Sequence, residues 1–222
     1  MSLQTIELNP SGAPRASVIV LHGLGADGTD FLPMADELKL DEVGPVRFVF
    51  PRAPVRKVTI NGGQPMRAWY DILGVDLVRR EDAAGVRESI AQVHAVLDAE
   101  VARGVPASRI VLVGFSQGCA ITLAAGVRYP QRLAGLIGMS GYMPLADTTS
   151  MERHDAHRDL PVMLAHGRND GIVPLARGTA ARELLLGLGH PVEWHDYPME
   201  HSVCIEEVRH LNQFLLRVLA EG

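Results

Sequence analysis

Residues 110–118 read Ile-Val-Leu-Val-Gly-Phe-Ser-Gln-Gly, an apolar run that passes directly into a Gly-x-Ser-x-Gly pentapeptide. A short apolar run bounded by glycine predicts a buried β-strand, and the pentapeptide predicts a sharp turn into a helix. Side chains two positions either side of the serine would clash in that turn, so glycine is required at both places. The pentapeptide alone is weak evidence, and the strand before it and the helix after it give it weight. Ser116 is therefore a candidate nucleophile.

A serine hydroxyl is a poor nucleophile until a base removes its proton, so partners must lie elsewhere in the chain. In sites built on a strand-to-helix turn they follow in the order acid, then histidine, each after a later strand. The apolar run 161–165 leads into Asp170, and the strand candidate 192–197 leads into His201 before the last helix. We expect Asp170 to orient His201, and His201 to act as the general base.

An acyl-transfer site also needs N–H donors for the developing oxyanion. The apolar run 18–21 ends in a glycine-rich stretch, His22–Gly28, which is typical of such a loop. We assign the two donors to the backbone N–H groups of Leu24 and Gln117, and we expect His22 to brace the loop by hydrogen bonding.

Strand and helix patterns alternate along the whole chain, which predicts an α/β fold with a mostly parallel central sheet and helices on both faces. The 222 residues carry no linker or repeat, so we expect a single domain over 1–222. The C-terminal ends of parallel strands share one edge of the sheet, where all the candidate residues fall. The strand candidates lie near 5–8, 17–21, 46–50, 110–114, 133–139, 161–166 and 192–197.

Two longer segments show helical periodicity, and one segment breaks the alternation. Two apolar stripes predict a helix near 84–103 and a last helix beginning near 205. The first stripe is Val86, Ile90, Val93, Leu97 and Val101, and the second is Ile205, Val208, Leu211, Leu215 and Val218. Segment 51–82 is long and rich in turn residues, so we expect a short hairpin or loop excursion over the active edge. Only about twenty residues separate the strands near 133–139 and 161–166, too few for a large cap domain.

Composition excludes several function classes. A net charge of -5 gives no electrostatic footprint for nucleic acid, and no apolar run is long enough to span a membrane. The start of the chain lacks the features of a signal peptide, and two cysteines do not indicate a disulfide framework. We therefore expect a soluble cytoplasmic protein. The scarcity of lysine, limited to Lys39 and Lys57, suggests a bacterial source by association alone.

Further motifs reveal a resemblance: Leu21–Gly25, Gly114–Gly118, Ser140–Pro144, His166–Asp170, Met66–Asp71 and His201–Cys204 together resemble the carboxylesterase and acyl-protein thioesterase family of α/β-hydrolases. The resemblance extends over nearly the whole chain. It implies a capless hydrolase of carboxylic esters or thioesters that uses a Ser116–His201–Asp170 triad and no cofactor. It also implies an acyl groove that includes Leu24, Leu73, Tyr142 and Ile172. One departure is Cys119, where the family usually has glycine; we expect the small thiol to fit at some cost in packing.

Other readings stay open at this stage. Asp170 could be a turn or cap residue, and His195 or His210 could replace His201 as the base. The segment 154–159 contains ligand-like side chains, but its spacing favours a solvated loop over a metal site.

Functional alternatives also remain. They are lysophospholipase or protein depalmitoylase activity on the same triad, a peptidase or lactone hydrolase, and a catalytically silent binding protein. The expected partner is a small-molecule or acyl-protein ester, with a homodimer left open.

Overall fold

The computed structural model describes residues 3–74 and 81–220. Within them the chain forms nine strands and six α-helices, which include every strand expected from the sequence. The strands are β1 (Gln4–Leu8), β2 (Ala16–Leu21), β3 (Val46–Arg52), β4 (Val55–Val58), β5 (Gln64–Arg67), β6 (Ile110–Phe115), β7 (Gly135–Met139), β8 (Val162–Gly167) and β9 (Val192–Tyr197). The helices are α1 (Leu32–Glu37), α2 (Ala83–Ala102), α3 (Gln117–Arg128), α4 (Ala146–Glu152), α5 (Leu175–Gly187) and α6 (Ile205–Val218).

The central sheet has the strand order β1-β3-β2-β6-β7-β8-β9. Only β1 runs antiparallel to its neighbour among these described strands, and the other pairs are parallel. The expectation of an α/β fold with a mostly parallel sheet is confirmed. Because the strands run parallel, the loops after β2, β6, β8 and β9 emerge at the same edge.

Each face of the sheet carries its own apolar core, because alternate side chains of a strand point to opposite faces. On one face, Leu112 of β6 lies in a buried cluster with residues of α2, α3 and α5. On the other face, Val111 and Val113 of β6 lie in a second cluster with residues of α1 and α6. Helices therefore cover both faces of the sheet, as expected.

The helical periodicity locates both long helices, and one residue of the predicted stripes, Ile205, is exposed. Val86, Ile90, Val93 and Leu97 of α2 are buried, as the stripe predicts. In α6, by contrast, Ile205 is 55% exposed, although Glu207 and Val208 of the same first turn are buried.

Segment 51–82 contains the expected hairpin, in which β4 and β5 pair antiparallel outside the main sheet. The part of this segment at 75–80, which includes Val75, lies outside the described residues. Between β7 and β8 the chain forms only α4 and a short turn of 3-10 helix at Asp155–His157. No large cap domain is inserted at this point of the described chain.

Candidate active site

Ser116 lies between β6 and α3 in a strained backbone conformation. Its φ of 56° and ψ of -119° fall outside the regions that residues with a side chain normally adopt, and such strain costs about 1–3 kcal/mol. A Cβ atom on Gly118 would lie 2.1 Å from the carbonyl oxygen of Leu21, so this position accepts only glycine. The structure therefore contains the tight strand-to-helix turn predicted from the sequence.

Ser116, His201 and Asp170 lie in one hydrogen-bonded row, although they come from three separate loops. The Nε2 atom of His201 lies 2.9 Å from Oγ of Ser116. The Nδ1 atom of the same ring lies 2.7 Å from Oδ2 of Asp170. A buried carboxylate is an acceptor only, so Nδ1 carries the proton and Nε2 is left to accept from the serine hydroxyl. His195 and His210 bond instead to Glu193 and Tyr197 in the outer part of the sheet.

Asp170 is held in place by the loop that carries it. Its second oxygen, Oδ1, accepts hydrogen bonds from the backbone N–H groups of Ile172 at 2.9 Å and Val173 at 2.8 Å. The buried ring of His166 bonds through Nε2 to the carbonyl oxygen of Val173 at 2.8 Å, which braces the same loop. The carboxylate is thus fixed toward His201, with its charge stabilised by N–H donors.

His22 braces the glycine-rich loop after β2, as the sequence predicts. Its Nε2 accepts a hydrogen bond from the backbone N–H of Ala53 at 3.0 Å, so Nδ1 is the protonated nitrogen that donates to the carbonyl of Gly23 at 2.8 Å. Burial lowers the pKa of His22, which keeps this ring neutral. Both ring nitrogens are therefore engaged in fixing the loop.

The same loop is anchored at its far end by Asp27. The carboxylate accepts hydrogen bonds from Nη2 of Arg52 at 2.7 Å and from Nε of Arg67 at 2.6 Å. Hydrogen bonds from Arg52, from the backbone N–H of Thr29 and from Arg67 lower the pKa of Asp27 to about 2. The loop is consequently tied to both β3 and β5 over the ordinary pH range.

Leu24 lies in the loop after β2, and Gln117 directly follows Ser116 as the first residue of α3. In the described part of the chain, neither backbone N–H donates a hydrogen bond to a protein acceptor. The N–H of Gln117 is also the first of helix α3, where the helix dipole favours negative charge. Both groups are therefore available to bind an oxygen of a ligand.

An apolar pocket of about 420 Å³ opens beside Ser116 and His201. Of the four residues expected in an acyl groove, only Leu24 lines it among the described residues. The walls that sequence reasoning missed come from α1, its preceding turn and the loop after His201. Short segments of this kind carry little periodic signal. The pocket is lined by Gly23, Leu24, Ala26, Asp30, Phe31, Met34, Phe115, Ser116, His201, Ser202 and Val203.

The other three expected groove residues lie elsewhere. Leu73 and Ile172 are 37% and 71% exposed, and Ile172 follows the loop of Asp170. Tyr142 is buried, and its hydroxyl lies 2.7 Å from the hydroxyl of Tyr70. It lines a separate pocket of about 170 Å³ together with Glu81.

The described residues contain no group of three or more His, Cys, Asp or Glu side chains that could hold a metal ion. In the segment 154–159, Asp155 pairs with Arg158 and Asp159 pairs with Arg132. His157 departs from the expected solvated loop, because it is buried and its Nε2 lies 2.7 Å from the carbonyl oxygen of Tyr129. Cys119 is a buried free thiol and Cys204 is a half-buried one. Over residues 3–74 and 81–220, none of the helices is both long and apolar enough to span a bilayer.

Comparison with known proteins identifies the family. Residues 4–219 match the phospholipase/carboxylesterase family. The chain is 37% identical over 220 residues to acyl-protein thioesterase 1 of Schizosaccharomyces pombe, covering 98% of this chain and 97% of that protein. It is 39% identical to acyl-protein thioesterase 1 of Gibberella zeae over 216 residues, which covers 92% and 91% of the two chains. These relatives are fungal and contradict the bacterial source suggested by the scarcity of lysine.

Solved structures agree with the sequence comparison. Arabidopsis thaliana SOBER1 superposes with a TM-score of 0.88 at 31% identity, covering 92% of this chain and 99% of that one. Acyl-protein thioesterase 2 of Zea mays superposes with a TM-score of 0.86 at 28% identity, covering 97% and 99%. The chain thus belongs to the phospholipase/carboxylesterase family of α/β-hydrolases and is a serine hydrolase.

Proposed function

We propose that this enzyme hydrolyses carboxylic ester and thioester bonds of short- to medium-chain acyl substrates through a Ser116–His201–Asp170 triad. The observation that carries the proposal is the pair of hydrogen bonds that His201 makes, at 2.9 Å to Ser116 and at 2.7 Å to Asp170. A base within hydrogen-bond reach of the nucleophile and oriented by a third group is the arrangement that activates a serine.

The chemistry takes two steps. In the first, Oγ of Ser116 attacks the acyl carbonyl carbon while its proton passes to Nε2 of His201. The tetrahedral intermediate then expels the alcohol or thiol, which takes that proton, and an acyl-enzyme remains on Ser116. In the second, a water gives a proton to His201 and attacks the acyl-enzyme. The carboxylic acid leaves, and the proton returns to Ser116. Asp170 stabilises the imidazolium in both steps without being protonated.

Negative charge that develops on the acyl oxygen needs donors already in place. We assign this role to the backbone N–H groups of Leu24 and Gln117, since neither has a protein acceptor in the described chain. Removing one donor of this type lowers kcat by about 10²- to 10³-fold. No metal or cofactor takes part in the proposed reaction.

The apolar pocket beside Ser116 is suited to bind an apolar acyl group. Leu24, Phe31 and Met34 give it apolar walls, and each buried methylene adds about 0.8 kcal/mol of binding. We keep Leu73 and Ile172 as proposed substrate contacts because both expose apolar side chains. Affinity then rises with chain length until the acyl group fills the pocket.

A second candidate is the hydrolysis of acyl-protein thioesters, which includes protein depalmitoylation. It is favoured by the relatives in fungi and maize that are named acyl-protein thioesterases. A lysophospholipid is an ester that the same triad would cleave. In this proposal the chain works as one domain in the cytoplasm. A homodimer remains open.

The decisive experiment replaces the nucleophile. Ser116→Ala is expected to lose essentially all hydrolysis of p-nitrophenyl esters and to keep its fold, and adding His201→Ala is expected to cost little more. Ser108→Ala, on the turn before β6 and exposed, is the matched control and retains wild-type turnover. If Ser116→Ala keeps more than about a tenth of the activity, the triad assignment is wrong.

The substrate class is tested separately. A panel of p-nitrophenyl esters of rising chain length, one acyl thioester and one lysophospholipid is compared by kcat/KM on the wild-type enzyme. We expect the short- and medium-chain esters and the thioester to have the highest kcat/KM. A kcat/KM for acylated protein far above all small esters would favour the second candidate.

A further inference from the structure

The side chain of Gln117 is buried and engages a separate stretch of chain. Its Oε1 atom accepts a hydrogen bond from the backbone N–H of Trp69 at 2.8 Å. Its Nε2 atom donates to the carbonyl oxygen of Tyr70 at 2.7 Å. Gln117 is 3% exposed, so these two bonds are made away from solvent. The backbone N–H of the same residue is one of the two proposed oxyanion donors.

The same stretch of chain also holds the loop that carries the other donor. The indole Nε1–H of Trp69 donates to the carbonyl oxygen of His22 at 2.8 Å. The carbonyl oxygen of Arg67 accepts from the backbone N–H of Gly25 at 2.8 Å. His22 and Gly25 flank Gly23 and Leu24, so hydrogen bonds hold the loop both before and after the donor N–H of Leu24.

We propose that residues 67–70, together with the Gln117 side chain, form a clamp that sets the spacing between the Leu24 and Gln117 N–H groups. Gln117, through its side chain, and Trp69 are positioning residues in this proposal, which rests on the proposed function. An oxyanion hole works because its donors are fixed before charge develops. A misplacement of about 1 Å costs on the order of 10²-fold in rate.

The clamp is itself rigidly supported. Ala68, Trp69 and Tyr70 are all buried, and the N–H of Ala68 donates to the carbonyl of Pro54 at 3.0 Å. The hydroxyl of Ser89 on α2 donates to the carbonyl of Trp69. The hydrogen bonds that Trp69 and Tyr70 make with His22 and Gln117 are therefore shielded from water and anchored to the core, as a positioning element requires.

The test removes the bonds and keeps the donor. Gln117→Met has a similar shape and retains the backbone N–H, but it cannot bond to Trp69 or Tyr70. We expect kcat to fall about 10- to 100-fold with KM within about twofold. An alkylboronic acid whose boron bonds to Oγ of Ser116 gives a tetrahedral oxyanion mimic. Its Kd is expected to rise by a factor similar to the fall in kcat.

Active-site titration with a fluorophosphonate separates positioning from loss of folded enzyme. All rates are expressed per titrated site, so a purely structural role would leave both kcat and the boronate Kd unchanged. Gln92→Met on helix α2, outside the site, is the matched control and keeps both values. Should Gln117→Met fail to fold, Trp69→Phe removes the indole bond to His22 together with part of a buried ring. It is read in the same way, with rates again expressed per titrated site.

The outcomes of these experiments are distinct. A normal kcat per site and a normal boronate Kd in the variants would overturn the clamp while leaving the triad intact. Retained hydrolysis in Ser116→Ala would overturn the proposed function itself, whatever the clamp variants do.

Discussion

Gly114 and Gly118 approach so closely that a Cβ atom on Gly114 would lie 2.3 Å from the carbonyl oxygen of Gly118. Real Cβ contacts of this length do not occur, and the obstacle is backbone, which cannot turn aside. The last residues of β6 and the first turn of α3 therefore pack at a distance that only two glycines permit. Ser116, between them, is held in its strained conformation by this contact.

Gly114→Ala is expected to destroy the turn. The added methyl group forces β6 and α3 apart, so we expect either no folded protein or a Tm many degrees lower with hydrolysis reduced at least 100-fold. Gly187→Ala, at the end of α5 with nothing near its Cβ position, is the control and leaves both properties unchanged or slightly improved. Thermal unfolding and ester hydrolysis measure the effect. A fully active Gly114→Ala would show that the turn relaxes freely.

Glu207 gives the protein a specific pH dependence of stability. Its side chain is fully buried on α6, and neither carboxyl oxygen has a hydrogen-bond partner among the described residues. Burial raises the pKa of Glu207 from 4.5 to about 8. The native state therefore keeps a proton that the unfolded chain releases, and this contribution to stability falls as pH rises from about 4.5 to about 8.

Glu207→Gln is expected to remove that dependence. At pH 7 the variant should gain about 3 kcal/mol in unfolding free energy, and at pH 4.5 it should match the wild type. Urea unfolding at the two pH values provides the measurement, with the exposed neighbour Glu206→Gln as the control. An equal gain at both pH values would mean that Glu207 does not carry the shifted pKa.

Acyl selectivity distinguishes two sets of wall residues. Met34 lines the pocket beside Ser116, whereas Tyr142, expected in the groove from the sequence, lies in a separate pocket. Met34→Ala enlarges the first pocket, so the chain length with the highest kcat/KM should increase by one to two carbons, each worth about 0.8 kcal/mol. Tyr142→Ala should change kcat/KM by the same factor for every chain length. If the optimum chain length shifts in Tyr142→Ala and not in Met34→Ala, Tyr142 lines the acyl site as the sequence suggested, and Met34 does not.

Cys119 is expected to be inert toward thiol reagents. The thiol is buried, and this burial raises its pKa well above the usual range, so little thiolate is present to react. In the wild-type enzyme, iodoacetamide should label the half-buried Cys204 first. In the Cys204→Ser variant, iodoacetamide should leave the activity unchanged. Mass spectrometry with parallel activity assays follows the reaction. Rapid inactivation of Cys204→Ser would place the thiol of Cys119 at the reacting centre.

Cys119→Gly tests the packing role of the thiol. The atoms Cβ and Sγ of Cys119 fill the space against Gly138 and Gly141. Removing them leaves a cavity and puts glycine inside a helix, a combined loss of about 1–3 kcal/mol. We expect turnover within about twofold of wild type and a lower Tm. A large loss of kcat with no change in Tm would contradict a packing role.

The sequence predicted where the strands of the main sheet lie along the chain and where the triad candidates lie, because strong local signals mark both. Buried parallel strands are continuous apolar runs, and Ser116, Asp170 and His201 each follow one. Periodicity also located α2, although it placed the exposed Ile205 in the buried stripe of α6. The hairpin formed by β4 and β5 was expected as a short hairpin or loop excursion, but the bounds of its strands were not, since both are short and largely exposed or half-buried.

The walls of the pocket could not be predicted in the same way. Phe31 and Met34 reach the pocket because a short helix packs across the loop after β2, a contact that no periodic pattern encodes. The two bonds of the Gln117 side chain join residues 48 and 47 positions apart. Tertiary contacts of this kind depend on the complete fold, so the motif Met66–Asp71 was recognised only by its resemblance to the family.

In the proposed triad, Ser116 lies 85 residues before its base, His201. On the ribosome, β2, β6 and α3 are therefore synthesised, together with the proposed nucleophile, long before His201. Until His201 has been made, the proposed mechanism has no group to take the proton of Ser116. It cannot begin before β8 and β9, which precede Asp170 and His201, have joined the sheet. In this proposal the order of synthesis delays hydrolysis until late in folding.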